Sequence, residues 1–324
     1  MALMTNTLAA AVQAYAAGRW VEAEAAYRDV LRADPDRAEA WHGIGLIALQ
    51  RGDAREAVEL VQRAIEFDEG VPEFHGNLGS AFSALRQWDD ALRCYRRAVE
   101  LQCDYADGWR NLGRLLNRLG RLDEALASTQ QAARCQPESS GIQYDLARIW
   151  QALGRHAEAI PCYLRALRGK PRDADTHNRL GTAWQAIGHL DEAIACYRQA
   201  IDCRSEYVAA WNNLGTALTK AGRLSEAVGS FQRALQLQPE FPTVLVNLGS
   251  VYQAEGFVDQ ALACFQRAVE LQPANVEAHD NWLMARHYHP QVASNLRDIR
   301  NAGHCWKPTI EWTSRWTRFP TPAG

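Results

Sequence analysis

The 324-residue sequence predicts an all-α solenoid, a stack of helix hairpins with no strands. Three observations carry that prediction. Similar 34-residue units follow one another from residue 4 to 275 without a slip of register, with starts at 4, 38, 72, 106, 140, 174, 208 and 242. Counting from each start, slot 20 is alanine every time: Ala23, Ala57, Ala91, Ala125, Ala159, Ala193, Ala227 and Ala261. Slot 15 is glycine in every unit but one, where Arg86 stands instead. A unit of this length holds two short helices and a turn. One such hairpin cannot bury its own apolar faces, whereas neighbouring copies bury them for each other.

The clearest unit, Val208 to Phe241, shows how each element is specified. Trp211, Leu214, Gly215 and Leu218 recur at three- and four-residue spacing, the period of one helical face. Gly222 follows the last apolar position, where a left-handed residue closes a helix. Ser225, beside Glu226, is placed to cap the second helix and meet the positive end of its dipole. Ala227, Phe231 and Ala234 form the second apolar face, and Pro239 ends it. Slot 8 is glycine or alanine throughout, and slot 24 is aromatic in six units, Tyr27, Tyr95, Tyr163, Tyr197, Phe231 and Phe265, with Val61 and Thr129 in the gaps. Small residues at these crossings let helix axes approach to about 8–10 Å.

With these residues in register, the chain is identified as resembling the tetratricopeptide repeat family, in about eight copies. The resemblance implies a right-handed superhelical solenoid whose first helices line a concave groove that binds extended peptides or partner helices. Repeat 1 fits worst, with Thr7, Ala10 and Ala11 at slots usually filled by larger residues or glycine, as expected of a terminal repeat with one face to water. A partial ninth repeat and capping helices are expected over 276–302, where Trp282, Leu283 and Arg286 break the pattern and His287-Tyr288-His289-Pro290 ends a helix. Residues 303–324, with Trp306, Trp312, Trp316, Pro308, Pro320 and Pro322, carry no period and read as an irregular tail.

Composition narrows the partners. A formal charge of -3 with 23% charged residues is an ordinary soluble surface, with no global case for nucleic acid or anionic membrane. Lysine occurs only at 170, 220 and 307; the bias to arginine points to GC-rich codons and a bacterial source. No run of about 18 apolar residues is present, so no membrane span is expected. The Ala-rich start lacks a basic flank and falls on the repeat register, so it does not read as a signal. Of the eight cysteines, Cys94, Cys162, Cys196 and Cys264 share slot 23, and Cys135 and Cys203 share a later slot. Equivalent slots of adjacent repeats lie roughly 10 Å or more apart, beyond the reach of a disulfide. Reduced thiols in a cytoplasmic protein are expected. His287, His289, His304 and Cys305 match no zinc spacing, so no metal is assigned. Phosphate-loop, dinucleotide and hydrolase signatures are absent, so neither cofactor nor catalytic residue is assigned.

Two patterns could write function into the groove. Slot 6 reads Asn77, Asn111, Asp145, Arg179, Asn213, Asn247 and Asn281; an amide offers both donor and acceptor, so a ladder of them can pair with the backbone of an extended chain or, equally, with neighbouring helices and water. Arg110, Arg114 and Arg118 sit four apart on one ridge, and Arg148 and Arg179 occupy groove-side slots of the next two repeats. Such a stripe suits acidic or phosphorylated partner segments, or is a solvated face partly neutralised by Asp145. A carboxylate clamp of the chaperone-binding type is disfavoured, because slot 9 holds Ser80, Arg114, Arg148, Thr182, Thr216 and Ser250 where asparagine is needed.

The asparagine before Leu-Gly, together with Ala278-His279-Asp280-Asn281 and His287-Tyr288-His289-Pro290, is similar to the repeat arm of bacterial SPINDLY-like O-linked N-acetylglucosamine transferases. That resemblance implies that Asn77, Asn111, Asn213, Asn247 and Asn281 contact a polypeptide substrate. The family's catalytic region has no counterpart after Pro290. The expectation is a non-enzymatic scaffold that holds an extended peptide through Asn77, Asn111, Asn213 and Asn247, with Arg110, Arg114 and Arg148 biasing it toward acidic segments and Arg179 as a further groove residue. The alternative is a truncated or separately encoded substrate-recognition arm of a protein O-linked N-acetylglucosamine transferase-like glycosyltransferase, with another polypeptide supplying the catalytic lobe. Self-association is left open.

Overall fold

The computed structural model describes the backbone of residues 2–288 and the side chains of residues 7–287. The capping helix expected over 292–302, His289, Pro290, His304, Cys305 and the Trp-rich tail lie outside the described residues. Every regular element described is an α-helix. The chain divides into two compact units, Met1–Arg223 and Leu224–Gly324.

The first unit is a stack of hairpins: α1 (Ala2–Ala16) with α2 (Trp20–Ala33), α3 (Ala38–Arg51) with α4 (Ala54–Phe67), α5 (Pro72–Ala84) with α6 (Trp88–Leu101), and α7 (Ala106–Arg118) with α8 (Leu122–Cys135). It continues with α9 (Ser140–Ala152) and α10 (His156–Gly169), α11 (Ala174–Ala186) and α12 (Leu190–Cys203), and α13 (Val208–Lys220). Each second helix also packs on the first helix of the next repeat, and successive first helices touch, so contacts pass from neighbour to neighbour. The second unit holds α14 (Leu224–Leu237), the hairpin of α15 (Pro242–Ala254) and α16 (Val258–Leu271), and α17 (Val276–Tyr288), which rests on both helices of that hairpin.

Slot 20 explains its own invariance. All eight alanines there have 0% exposure, so any larger side chain would part the helices. Slot 8 faces the slot-24 ring: a Cβ on Gly79 would stand 2.8 Å from the ring of Tyr95, and one on Gly249 would stand 2.6 Å from that of Phe265. Slot 15 turns the chain with positive φ, and the next amide bonds back to the fifth carbonyl before it, as Arg121 N does to Leu116 O at 2.9 Å, closing the first helix in a Schellman motif. Arg86 obeys the same geometry with φ 59° although it has a Cβ.

The cap expected of Ser225 is not formed as drawn. The helix begins at Leu224, so Ser225 is its second residue and lies inside it. The capping position is two residues earlier, at slot 16, and there Asp53 accepts a bond from Glu56 N at 3.0 Å. Between repeats, slot 4 supplies a lock that the periodicity did not announce. Its side-chain N–H donates to the carbonyl six residues back: Trp41 to Pro35 (2.7 Å), Trp109 to Cys103 (2.8 Å), Gln143 to Pro137 (2.8 Å) and Trp211 to Ser205 (2.9 Å). His75, His177 and His279 do the same through Nε2, each at 2.9 Å.

The seven described cysteines are free thiols. Burial pushes Cys94 and Cys196 up to about 11 and Cys264 up to about 12, which leaves them as packing groups and not nucleophiles. Among the described residues no helix is long and apolar enough to cross a membrane, and no cluster of His, Cys, Asp and Glu is arranged to hold a metal.

Candidate functional site

Slots 5 and 6 of the first helices form a row of side chains that bond across repeats. Asn77 Nδ2 donates to His42 Nε2 at 2.9 Å, Arg110 Nε to Asp145 Oδ2 at 2.6 Å, Arg179 Nε to the Tyr144 hydroxyl at 2.9 Å, and Asn213 Nδ2 to Asn178 Oδ1 at 3.0 Å. Each pair joins slot 5 of one repeat to slot 6 of the next. The partners change, but the reach is the same.

One rung is missing. Slot 5 opposite Asn111 is Gly76, which has no side chain, and the Tyr105 hydroxyl fills the space where its Cβ would stand, 3.1 Å away. Asn111 is therefore left without a protein partner, and it lines a cavity of about 610 Å³ on the first-helix face of α5, α7 and α9. Arg114 and Arg118 enter the cavity from α7 and Arg148 from α9; Tyr95, Leu115 and Ile149 form apolar parts of its wall. Asp145 is the carboxylate in this lining, and its charge is already engaged: its side chain is 6% exposed, 2.6 Å from Arg110 and 4.0 Å from Arg114. Arg118 lies over the Trp88 ring at 5.2 Å and Arg148 over the Tyr144 ring at 5.8 Å, contacts that orient the two guanidiniums without neutralising them. Burial pushes the Tyr95 phenol up, so it remains an O–H group, within 3.2 Å of the Ser80 hydroxyl.

Slot 24 of repeat 4 also departs from the repeat pattern. In repeats 3, 5 and 6 the slot-24 tyrosine ends at slots 9 and 12 of its own first helix: Tyr95 at Ser80, Tyr163 at Gln151 (2.6 Å), and Tyr197 at Thr182 (3.4 Å) and Gln185 (3.1 Å). In repeat 4 slot 24 is Thr129, fully buried beneath Gly113, and its hydroxyl has no partner. Slots 9 and 12 there are Arg114 and Asn117, which line the cavity together with Ser80 and Ser83, the same slots of repeat 3.

The remaining groove residues fall elsewhere. Arg179 belongs to a second cluster, in which Asp175 takes bonds from Arg179 Nε (3.0 Å), from the Tyr207 hydroxyl (3.0 Å) and from the Tyr144 hydroxyl. Burial pushes the Asp175 carboxyl up, but these three bonds outweigh it and hold the group below the usual carboxylate range. Asn77 and Asn213 are engaged in the lateral row. Asn247 and Asn281 lie in the second unit, half-buried on α15 and α17. The structure thus gathers Arg114, Arg148 and Asn111 around one cavity, with Arg110 behind them on Asp145. The segments that carry the glycosyltransferase-arm resemblance lie at Ala278–Asn281 in α17 and at 287–290, which runs past the described residues.

Helices paired in register, with a small-residue crossing and a left-handed turn in each repeat, define a helix-hairpin repeat protein. The chain belongs to the tetratricopeptide repeat family, whose model matches residues 8–72, 77–141, 123–174 and 144–184. A further model, the middle TPR-like domain of cilia and flagella-associated protein 70, matches residues 177–304. No curated protein sequence matches the chain. Among solved structures, the C-terminal part of a TPR repeat-containing protein from Cytophaga hutchinsonii is similar with a TM-score of 0.61 at 13% identity, covering 74% of this chain and 98% of that one. The APC/C hetero-tetramer Cut9-Hcn1 gives 0.57 at 16% identity over 82% of this chain and 52% of that chain, so the present chain spans about half its length. YrrB, described as a TPR protein with an unusual peptide-binding site, gives 0.51 at 22% identity over 57% of this chain and 96% of its own. At these identities the likeness is one of fold.

Proposed function

We propose that the chain is a non-enzymatic interaction scaffold that holds an extended, acidic peptide segment against the first helices of repeats 3 to 5. The observation that carries this reading is the cavity in which Arg114, Arg118 and Arg148 converge while the lining carboxylate is already paired with Arg110. Guanidiniums take carboxylates through paired N–H bonds, and the partnerless Asn111 amide adds a donor and an acceptor for peptide backbone. The family's proteins bind protein or peptide partners, which agrees with a ligand of this kind.

The test is fluorescence anisotropy of the full chain with a labelled peptide of alternating glutamate and glycine, beside its lysine counterpart. Binding of the acidic peptide alone is expected, weakened about tenfold or more by Arg114→Ala or Arg148→Ala, the order of one charge-assisted bond. Asn111→Ala is expected to weaken binding severalfold and leave the thermal transition in place, because no protein group depends on it. Equal binding of both peptides would remove the reading.

A further inference from the structure

The same cavity supports a narrower assignment, which rests on the acidic-peptide reading. We propose that it is a phosphoryl pocket that receives the phosphate of a phosphorylated side chain in the bound peptide.

Charge favours this first. Three guanidiniums face the cavity, and its one carboxylate lies 2.6 Å from a fourth, Arg110, and 4.0 Å from Arg114, so the lining carries a surplus of positive charge that a single carboxylate of the ligand leaves mostly unmatched. Geometry favours it next. A glutamate side chain ends in a planar group with two oxygens, which one guanidinium fork satisfies. Arg114 and Arg118 come from α7 and Arg148 from α9, so their forks approach from two helices. A phosphate monoester is tetrahedral, offers three terminal oxygens and carries close to two negative charges at neutral pH, so it can accept from more than one fork at once. The Asn111 amide and the Tyr95 hydroxyl provide neutral donors beside it.

The repeat pattern also says why the site is in repeat 4. In repeats 3, 5 and 6 a tyrosine hydroxyl reaches slot 9 or 12; in repeat 4 slot 24 is Thr129, and those slots carry Arg114 and Asn117. Repeat 4 is the unit in which an arginine at slot 9 meets a slot 24 without a ring, and the neighbouring Arg148 adds a second slot-9 charge.

The test uses the full chain and three fluorescein-labelled peptides that differ only at the central residue, which is phosphoserine, glutamate or serine. The phosphopeptide is expected to bind at least about tenfold more tightly than the glutamate peptide, and that advantage is expected to shrink between pH 7.5 and 5.5, across the second phosphate ionisation near about 6. Arg148→Ala should remove the advantage. Thr129→Tyr, which restores the ring while keeping every arginine, should weaken phosphopeptide binding by a similar factor, whereas Thr129→Val should leave it unchanged; circular dichroism reports whether each variant is folded. If the glutamate peptide binds as tightly as the phosphopeptide, the phosphoryl assignment falls and the acidic-peptide scaffold stands. If neither binds, both fall. A single-stranded oligonucleotide that displaces the phosphopeptide more effectively than unlabelled phosphopeptide does would also overturn the assignment, in favour of a nucleic-acid backbone as ligand.

Discussion

Arg86 occupies a left-handed turn that the other repeats give to glycine, and a Cβ in that region costs about 1 kcal/mol. Its side chain is exposed, so Arg86→Gly loses little contact and relieves the backbone, offset in part by the greater freedom of glycine in the unfolded chain. A gain of about 0.5–1 kcal/mol is expected, read as a higher urea midpoint. His42 gives a pH-dependent counterpart. Burial pulls its imidazole down to about 4, and its Nε2 accepts from Asn77 while its ring lies 4.6 Å from that of Phe74, so the folded site holds it neutral. The unfolded chain protonates near about 6.5, so its stabilising effect is complete above that pH and is lost as pH falls toward 4, by up to about 3 kcal/mol. His42→Gln, which can still accept from Asn77, is expected to flatten the urea-midpoint profile over that window relative to the parent. Parallel profiles would mean that His42 does not contribute to it. Asn77 and His42 also show where the sequence was ambiguous. An asparagine at slot 6 reads equally as a ligand contact or a bond to a neighbour, and the choice depends on a residue 35 positions away whose type varies along the array.

At the scale of elements, the slot-4 lock holds each inter-repeat turn to the first helix that follows it. Trp109→Phe keeps the ring that packs beside Ala106, Ala132 and Ile142 but removes the N–H that reaches the Cys103 carbonyl. A loss of about 1 kcal/mol is expected, with faster amide exchange confined to the turn before α7. Slots 8, 15 and 20 were legible from sequence because their constraint is on size or on φ, which few residue types satisfy. The slot-4 lock was not, because Trp, His and Gln meet one requirement, an N–H at a fixed reach, with three different chemistries. The usable signal was that shared donor six residues after a loop carbonyl. Ser225 was misplaced for a related reason: a capping residue type two positions inside the helix resembles a start, whereas the repeat starts its second helix at slot 17 and spends slot 16, usually arginine or another non-capping residue, on the boundary. The candidate cavity was half visible. Its arginines stand out in the sequence, but which of them share a cavity depends on how α5, α7 and α9 stack, and the rung missing opposite Asn111 rests on Gly76, 35 positions away.

For the whole molecule, the consequence of a repeat array is that stability is local. Each helix of the first unit touches only its near neighbours in sequence, so a defect has no common core through which to spread. Ile47 is fully buried in the cluster shared by repeats 1 and 2, and Ile47→Ala is expected to cost about 2–4 kcal/mol there. In a single cooperative globule that loss would raise the exchange of the most protected amides everywhere by the same factor. Here native-state hydrogen exchange is expected to accelerate in α1 to α5 and to stay unchanged in α15 and α16, far along the chain from that cluster. The corresponding urea transition should then broaden or split, with a midpoint that depends on whether the probe reports on the first unit or the second. Uniform acceleration across α1 to α16 would show instead that the array unfolds as one body, and that the neighbour-to-neighbour packing seen in each unit is coupled far more strongly than its contacts suggest.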